Sequence, residues 1–158
     1  MVKYFFFILS FLIFCCCQEN KKEIHPPSFY YWKQEFSLNT NQKKLLKELG
    51  SKELYVKFFD VKMINGRPEP VAKIDFKISA SDYSIIPCVF ITNDIFSSDQ
   101  VNPEKLASRT VKLILSIAEK NKLSFKEVQF DCDWTMGSKE KYFRFLKKQT
   151  RFFKLFIG

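Results

Sequence analysis

The chain has 158 residues, 46% of them hydrophobic, and 26 lysines and arginines against 17 aspartates and glutamates give it a formal net charge of +9. That length holds one ordinary domain with a real core and falls short of a full eight-stranded α/β barrel, which takes roughly 250 residues. Four glycines, no two close enough to cradle a phosphate, exclude the P-loop and dinucleotide fingerprints; a single histidine, His25, set outside any core, excludes Ser-His-Asp and Cys-His catalysis and multi-histidine metal sites. Carboxylate chemistry or pure binding remains, with no cofactor and no metal expected.

Residues 1–17 read MVKYFFFILSFLIFCCC. Lys3 supplies a positive start, and the apolar run from Tyr4 to Phe14 has the length of a signal-peptide core, too short to span a bilayer. A run ending in cysteine resembles a bacterial lipoprotein signal. The resemblance implies that the cysteine is acylated and becomes the first residue of the mature chain. Cys17, preceded by two small residues, is the expected lipidation site, and Cys16, with Ile13 three places before it, is the alternative. Phe14 and the lack of Gly or Ala before the cysteines depart from the usual pattern. The resemblance further implies removal of residues 1–16, a tether over 17–27 ending in His25-Pro26-Pro27, export, and anchoring to the bacterial cell envelope at the outer membrane. An uncleaved anchor helix or an ordinary signal peptide competes with it. The lysines beyond the signal are scattered, which reads as solvated faces and not as a nucleic-acid stripe. The expected partners are the membrane, through the lipid, and a carbohydrate; nucleic acid is not among them.

The body then alternates strands and helices. Residues 28–32 (SFYYW) are aromatic and β-prone. The run 39–42 (NTNQ) can cap a helix that puts Leu45, Leu46 and Leu49 on one face, and Gly50 is its natural stop. Residues 54–61 (LYVKFFDV) form a second strand. Residues 72–78 alternate apolar and polar, which predicts a half-exposed strand paired with it as a hairpin. The run 85–92 (IIPCVFIT) reads as a strand covered on both faces. Asn102-Pro103-Glu104 starts a helix whose buried face holds Leu106, Leu113, Ile114, Ile117 and Ala118. Residues 128–134 (VQFDCDW) form the next strand, and Ser138 is expected to cap a last helix with Tyr142, Phe143, Phe145 and Leu146 inward or partly so. Cys88 and Cys132 read as buried free thiols, with a disulfide as the alternative.

Long crossovers between apolar strands predict an α/β fold with a mainly parallel sheet. The expected architecture is the N-terminal half of a (β/α)8-type barrel with a β-hairpin insertion, over residues 28–158. Four strands in barrel order before the chain ends at Gly158 read as a truncated barrel, a fragment of a longer product. A small complete α/β or α+β domain is the alternative.

In a strand, Asp131 and Asp133 would share one polar face, opposite Phe130, Cys132 and Trp134. At the carboxyl end of a parallel strand such a face belongs at a ligand-binding mouth. The run 130–135 (FDCDWT) resembles the fourth-strand signature of chitinase-like barrels, the family-18 glycoside hydrolases. Asp131 and Asp133 take the two inner aspartate places and Trp134 the tryptophan place. Thr135 stands where that family has its general-acid glutamate, so the resemblance brings no catalysis with it. An uncharacterised family of bacterial lipoproteins is similar over most of residues 28–148, through 30–32 (YYW), 54–61, 87–92, 131–135 and 141–146 in order. No activity comes with that second resemblance.

Strand ends nominate Trp32, Asp60, Asn93, Asp131 and Asp133 as ligand-binding residues: an aromatic platform with hydrogen-bonding groups, suited to carbohydrate. Asp131 and Asp133 are the only catalytic candidates. The expectation is a non-catalytic, glycan-binding envelope lipoprotein. A glycosidase-like hydrolase with its second half missing, and a structural envelope lipoprotein without ligand, are the alternatives.

Overall fold

A computed structural model describes residues 25–156, so the signal-like segment, Cys16 and Cys17, and most of the tether lie outside the described residues. In chain order the elements are β1 (Phe29–Tyr31), β2 (Glu35–Phe36), α1 (Thr40–Glu48), β3 (Glu53–Ile64), β4 (Arg67–Val71), β5 (Asp75–Phe76), β6 (Ser84–Ile91), α2 (Asn93–Ser97), α3 (Pro103–Lys120), β7 (Gln129–Asp131) and α4 (Lys139–Phe156). The main sheet runs β1-β3-β6-β7, all parallel and in sequence order, and β4 pairs antiparallel with β3. β2 and β5 form a separate two-residue parallel ladder. The fold is thus α/β with a mainly parallel sheet, as expected. The sheet is open, with β1 and β7 at opposite ends of the order.

Local chemistry sets the helix ends. Asn39 Oδ1 accepts from the Gln42 N–H at 2.9 Å, while Gln42 Oε1 accepts from the Asn39 N–H at 3.0 Å. Two otherwise unpaired donors of α1 are satisfied in this way. At its other end Gly50 takes φ +64°, and the Gly50 and Ser51 N–H groups return to the Lys47 and Leu46 carbonyls. Asn102 caps α3 through the Lys105 N–H at 2.8 Å, with Pro103 as the first helical residue.

Four expectations are corrected. The hairpin partner of β3 is 67–71, not 72–78. Asn65 and Gly66, both at positive φ, turn the chain so tightly that pairing begins at once with Ile64 opposite Arg67. Ala72, also at positive φ, then ends β4, and Asp75–Phe76 goes on to pair with β2. On α1 only Leu46 is buried; Leu45 and Leu49 are exposed, because this short helix meets the core along one line. On α4 Tyr142 and Phe145 are buried, but Phe143 points outward. The Ser138 hydroxyl does not cap α4. It accepts from the Thr135 N–H at 2.9 Å and donates to Asn93 Oδ1.

The core lies on one face of the sheet. Leu54, Val56, Phe58, Phe59 and Val61 of β3 and Ile85, Val89 and Ile91 of β6 gather there with Phe36, Leu46, Ile95, Phe96, Leu106, Ile114, Tyr142 and Phe145. Phe145 meets Phe96 and Phe130 edge-on, with ring centroids 5.5 and 5.2 Å apart. Removing such a ring costs about 3–5 kcal/mol.

β4 is an edge strand that contains two prolines. In an antiparallel pair, alternate residues exchange both hydrogen bonds with the partner. The tight turn makes Ile64–Arg67 such a pair, so Lys62–Glu69 and Asp60–Val71 follow in phase. The residues between them, Pro68 and Pro70, are the ones whose nitrogens face outward, and proline has no N–H to offer another strand. Replacing both by threonine is expected to leave a folded chain that self-associates. Sedimentation velocity across a concentration series reads the change, and a concentration-independent monomer would assign the prolines another role.

Candidate functional site

The second face of the sheet is set by a bulge. β3 pairs with β6 in step from Glu53–Ser84 to Lys57–Cys88, and then Phe59, not Phe58, pairs with Val89. Phe58 is an extra residue. In an unbroken strand Lys57 and Asp60, three apart, would point to opposite faces. The bulge puts Phe58 and Phe59 consecutively into the core and returns Asp60 to the face of Lys57. The Phe58 carbonyl, displaced from the ladder, accepts from the Ile74 N–H at 2.7 Å.

Register then sorts the side chains opposite the core into rows across the strands. Tyr30, Tyr55 and Ile86 share one row. Lys57, Cys88 and Gln129 share the next, and Asp60, Phe90 and Asp131 the third. Continuing the alternation of β1 brings Trp32 beside Lys57, whose Nζ lies 5.9 Å from the indole centroid. Lys57 Nζ is 3.2 Å from Asp60 Oδ1, with side chains only 16% and 11% exposed. Each charge there needs the other, because a buried charge without a partner is costly. Tyr30 and Trp32 stack, with centroids 5.7 Å apart and planes 13° apart, and both are about half exposed.

Long side chains bridge this face. β1 and β7 are three strand spacings apart, roughly 14 Å. The Tyr30 hydroxyl donates to Gln129 Oε1 at 2.9 Å, and the Tyr55 hydroxyl reaches Glu127 from two strands away at 3.2 Å. Beneath these bridges Ile86 and Cys88 lie buried outside the main core.

Of the five residues nominated from the sequence, the fold brings Trp32, Asp60 and Asp131 to this face. Asn93 and Asp133 lie beyond the strand ends. Asn93 opens α2, and the buried Ser138 hydroxyl donates to its side-chain oxygen, tying two loops together. The expectation that Asp131 and Asp133 share a strand face is corrected. β7 stops at Asp131, and the Trp134 N–H donates to the Cys132 carbonyl at 2.8 Å, a three-residue turn that swings Asp133 and Trp134 outward. Trp134 is half exposed against Phe143, with centroids 5.8 Å apart, and is not a core residue. Neither Asp131 nor Asp133 has a hydrogen-bond or ion-pair partner among the described residues. Thr135 is exposed, and its hydroxyl is 3.3 Å from that of Ser138. Sequence reasoning missed Tyr30, Lys57 and Phe90; the alternation of residues 28–32 held the signal for Tyr30, and that of 128–131 places Gln129 on the polar face with Asp131.

Among the described residues two concavities stand out, the second of them sharing Ile86 with this face. One is an apolar groove beside α3; the other, at the amino ends of β3 and β6, is lined by Glu53, Tyr83, Ile86, Phe125 and Glu127 among others. None of the five nominated residues lines either. Among the described residues no group of three or more His, Cys, Asp or Glu is placed to hold a metal ion, and no helix is long and apolar enough to cross a membrane. Comparison of the chain with family models, curated proteins and solved structures finds no match.

Both thiols are free and buried. Desolvation, reinforced by Asp131 and Glu127, pushes the Cys88 thiol up to about 12. Desolvation, with Asp133, Asp131 and Asp94 adding to it, pushes Cys132 up to about 11. Tyr142 rises to about 12, again mainly through burial, with Cys132 and Asp131 contributing. These folded values stand above the ordinary 9.0 for a thiol and 10.0 for a tyrosine. Their stabilising contribution is therefore whole below about pH 9 and is lost as pH climbs toward the folded values. Urea unfolding measured across that range is expected to show the loss, and Cys88→Ala should reduce it. The same alkaline fall in wild type and variant would mean that Cys88 is not a source.

Proposed function

We propose that this chain is a lipid-anchored cell-envelope protein, built as the first half of a (β/α)8-type barrel, that binds carbohydrate on the polar face of its sheet without turning it over. The observation that carries the reading is the stacked Tyr30–Trp32 platform beside two rows of charged and amide groups, Lys57 with Gln129 and Asp60 with Asp131, on one face. A sugar ring presents an apolar C–H face to an aromatic ring and a rim of hydroxyls to donors and acceptors, and this surface offers both. The sequence order of the parallel strands supports the half-barrel. The cysteine cluster after the apolar run supports the anchor, with Cys17 or Cys16 acylated and the protein held at the outer membrane. Thr135 in place of a general-acid glutamate supports binding over turnover.

A second reading, a glycosidase-like hydrolase, draws support from a different pair than the sequence nominated. Asp60 and Asp131 occupy one row on one face, with Phe90 between them. Two strand spacings separate their backbones by roughly 10 Å, and a pair of carboxylates on one face is what glycoside hydrolysis uses.

Calorimetric titration with soluble chito-oligosaccharides and peptidoglycan fragments tests the binding reading. Binding is expected in wild type, loss in Trp32→Ala, and weakening in the Asp131→Asn/Asp133→Asn double variant. That double variant should unfold within about 0.5 kcal/mol of wild type, because neither carboxylate is paired. No binding to any glycan would sink the reading, and released sugar would transfer it to the hydrolase.

The anchor is tested separately. Radiolabelled palmitate should enter the wild-type chain in a bacterial host and be absent when Cys16 and Cys17 are both replaced by serine. Label that survives the double replacement would remove the lipoprotein assignment.

A further inference from the structure

The apolar groove beside α3 has a structural origin. β3 and β6 are parallel neighbours, and a parallel crossover ordinarily lays a helix over the pair it joins. Here the connection, residues 65–83, holds β4 and β5 and no helix. A groove of about 410 Å³ remains, floored by Phe59 and Val61 of β3. Leu106, Thr110 and Leu113, on one stripe of α3, make one wall, and Pro68 and Pro70 make the other. Phe59, Val61, Leu106 and Thr110 are buried, so the groove is deep and not a flat patch.

Its charged lining residues, Arg109 and Lys112, are both cationic and both exposed at the rim. Arg109 Nη2 lies 3.7 Å from Glu69 Oε2, a loose surface contact that leaves the arginine side chain 59% exposed. An apolar trough with cations at its rim complements an amphiphile with one alkyl chain and one anionic head. A peptide strand is a poor occupant, because Pro68 and Pro70 remove the outward N–H groups it would pair with. The volume falls toward the lower end of small-ligand pockets, room for one chain and not for a two-chain lipid.

We propose that this groove binds a single-chain fatty acid, its alkyl chain between α3 and β4 and its carboxylate at Arg109 and Lys112. The site is independent of the carbohydrate reading, since it lies on the core side of β3 and shares no residue with the polar face.

The test is displacement of a fluorescent fatty acid from the full chain by octanoate, decanoate and dodecanoate below their micelle concentrations. Affinity should rise about fourfold for each added methylene, as transfer of that group out of water dictates. Leu113→Trp, which fills the trough, should lose binding of every chain length. Arg109→Glu/Lys112→Glu, both exposed and not expected to disturb folding, should weaken dodecanoate at least tenfold and leave dodecanol unchanged. A flat chain-length series, or dodecanoate binding equal to wild type in both variants, overturns the proposal. So does binding of phosphatidylglycerol vesicles with none of monomeric dodecanoate, which would make the groove a membrane contact.

Discussion

One extra residue in β3 decides what each face of this protein can do. Between Lys57 and Phe59 the strand slips by one position against β6, and the inside–outside parity of every later residue changes with it. Without that slip Phe59 and Val61 would leave the core, and Asp60 would enter it alone. With it, two consecutive phenylalanines are buried and Asp60 turns to meet Lys57. The bulge holds because its freed carbonyl is satisfied by Ile74, from the segment that follows β4. An unsatisfied buried carbonyl would cost about 1–3 kcal/mol, enough to favour a different register.

The consequence on the open side is a face that is both polar and partly dry. Tyr30 reaches across to Gln129 and so partly roofs Cys88, the middle residue of its row. The thiol is desolvated there and stays protonated, a packing element and not a nucleophile. The charged groups sit one row higher or beside it, where Lys57 neutralises Asp60 and Trp32 shields the lysine from one side. Asp131, at the end of β7, keeps no partner of its own. The polar face therefore presents a carboxylate and two half-exposed rings. A neutral, hydroxyl-rich ligand can meet all three without bringing a charge of its own.

The elements were legible where the chemistry is local. Asn39, Gly50 and Asn102 end their helices as their residue types dictate, and the apolar runs of 54–61 and 85–92 are strands because little else buries such runs. The second strand of the hairpin was not legible. Residues 72–78 alternate cleanly, while 67–71 hold two prolines that argue against a strand interior. Only the edge position makes those prolines compatible with pairing, and an edge is a property of the whole sheet. The bulge does leave a mark in LYVKFFDV, since regular alternation would put Asp60 on the apolar face and Phe59 and Val61 on the polar one, but such a break alone does not say which residue is the extra one. Of the candidate site, Trp32, Asp60 and Asp131 followed from strand ends. The Tyr30–Gln129 link spans 99 positions and depends on the strand order of the sheet, so no local pattern could carry it. Asp133 failed because a turn closed on the Cys132 carbonyl one residue earlier than alternation allows.

The departures from a regular β/α repeat all fall on the connection between β3 and β6. That connection supplies Ile74 to the bulge, Pro68 and Pro70 to the sheet edge, and Phe76 to the ladder over Phe36 and Phe58. A helix in its place would have covered Phe59 and Val61 and left no groove beside α3. It would also have offered no segment along the edge of β3 to take up the Phe58 carbonyl, and Lys57 and Asp60 would have no reason to share a face. The core-side groove and the polar face are therefore two results of a single substitution of hairpin for helix. Each depends on β3 carrying one residue more than its partner.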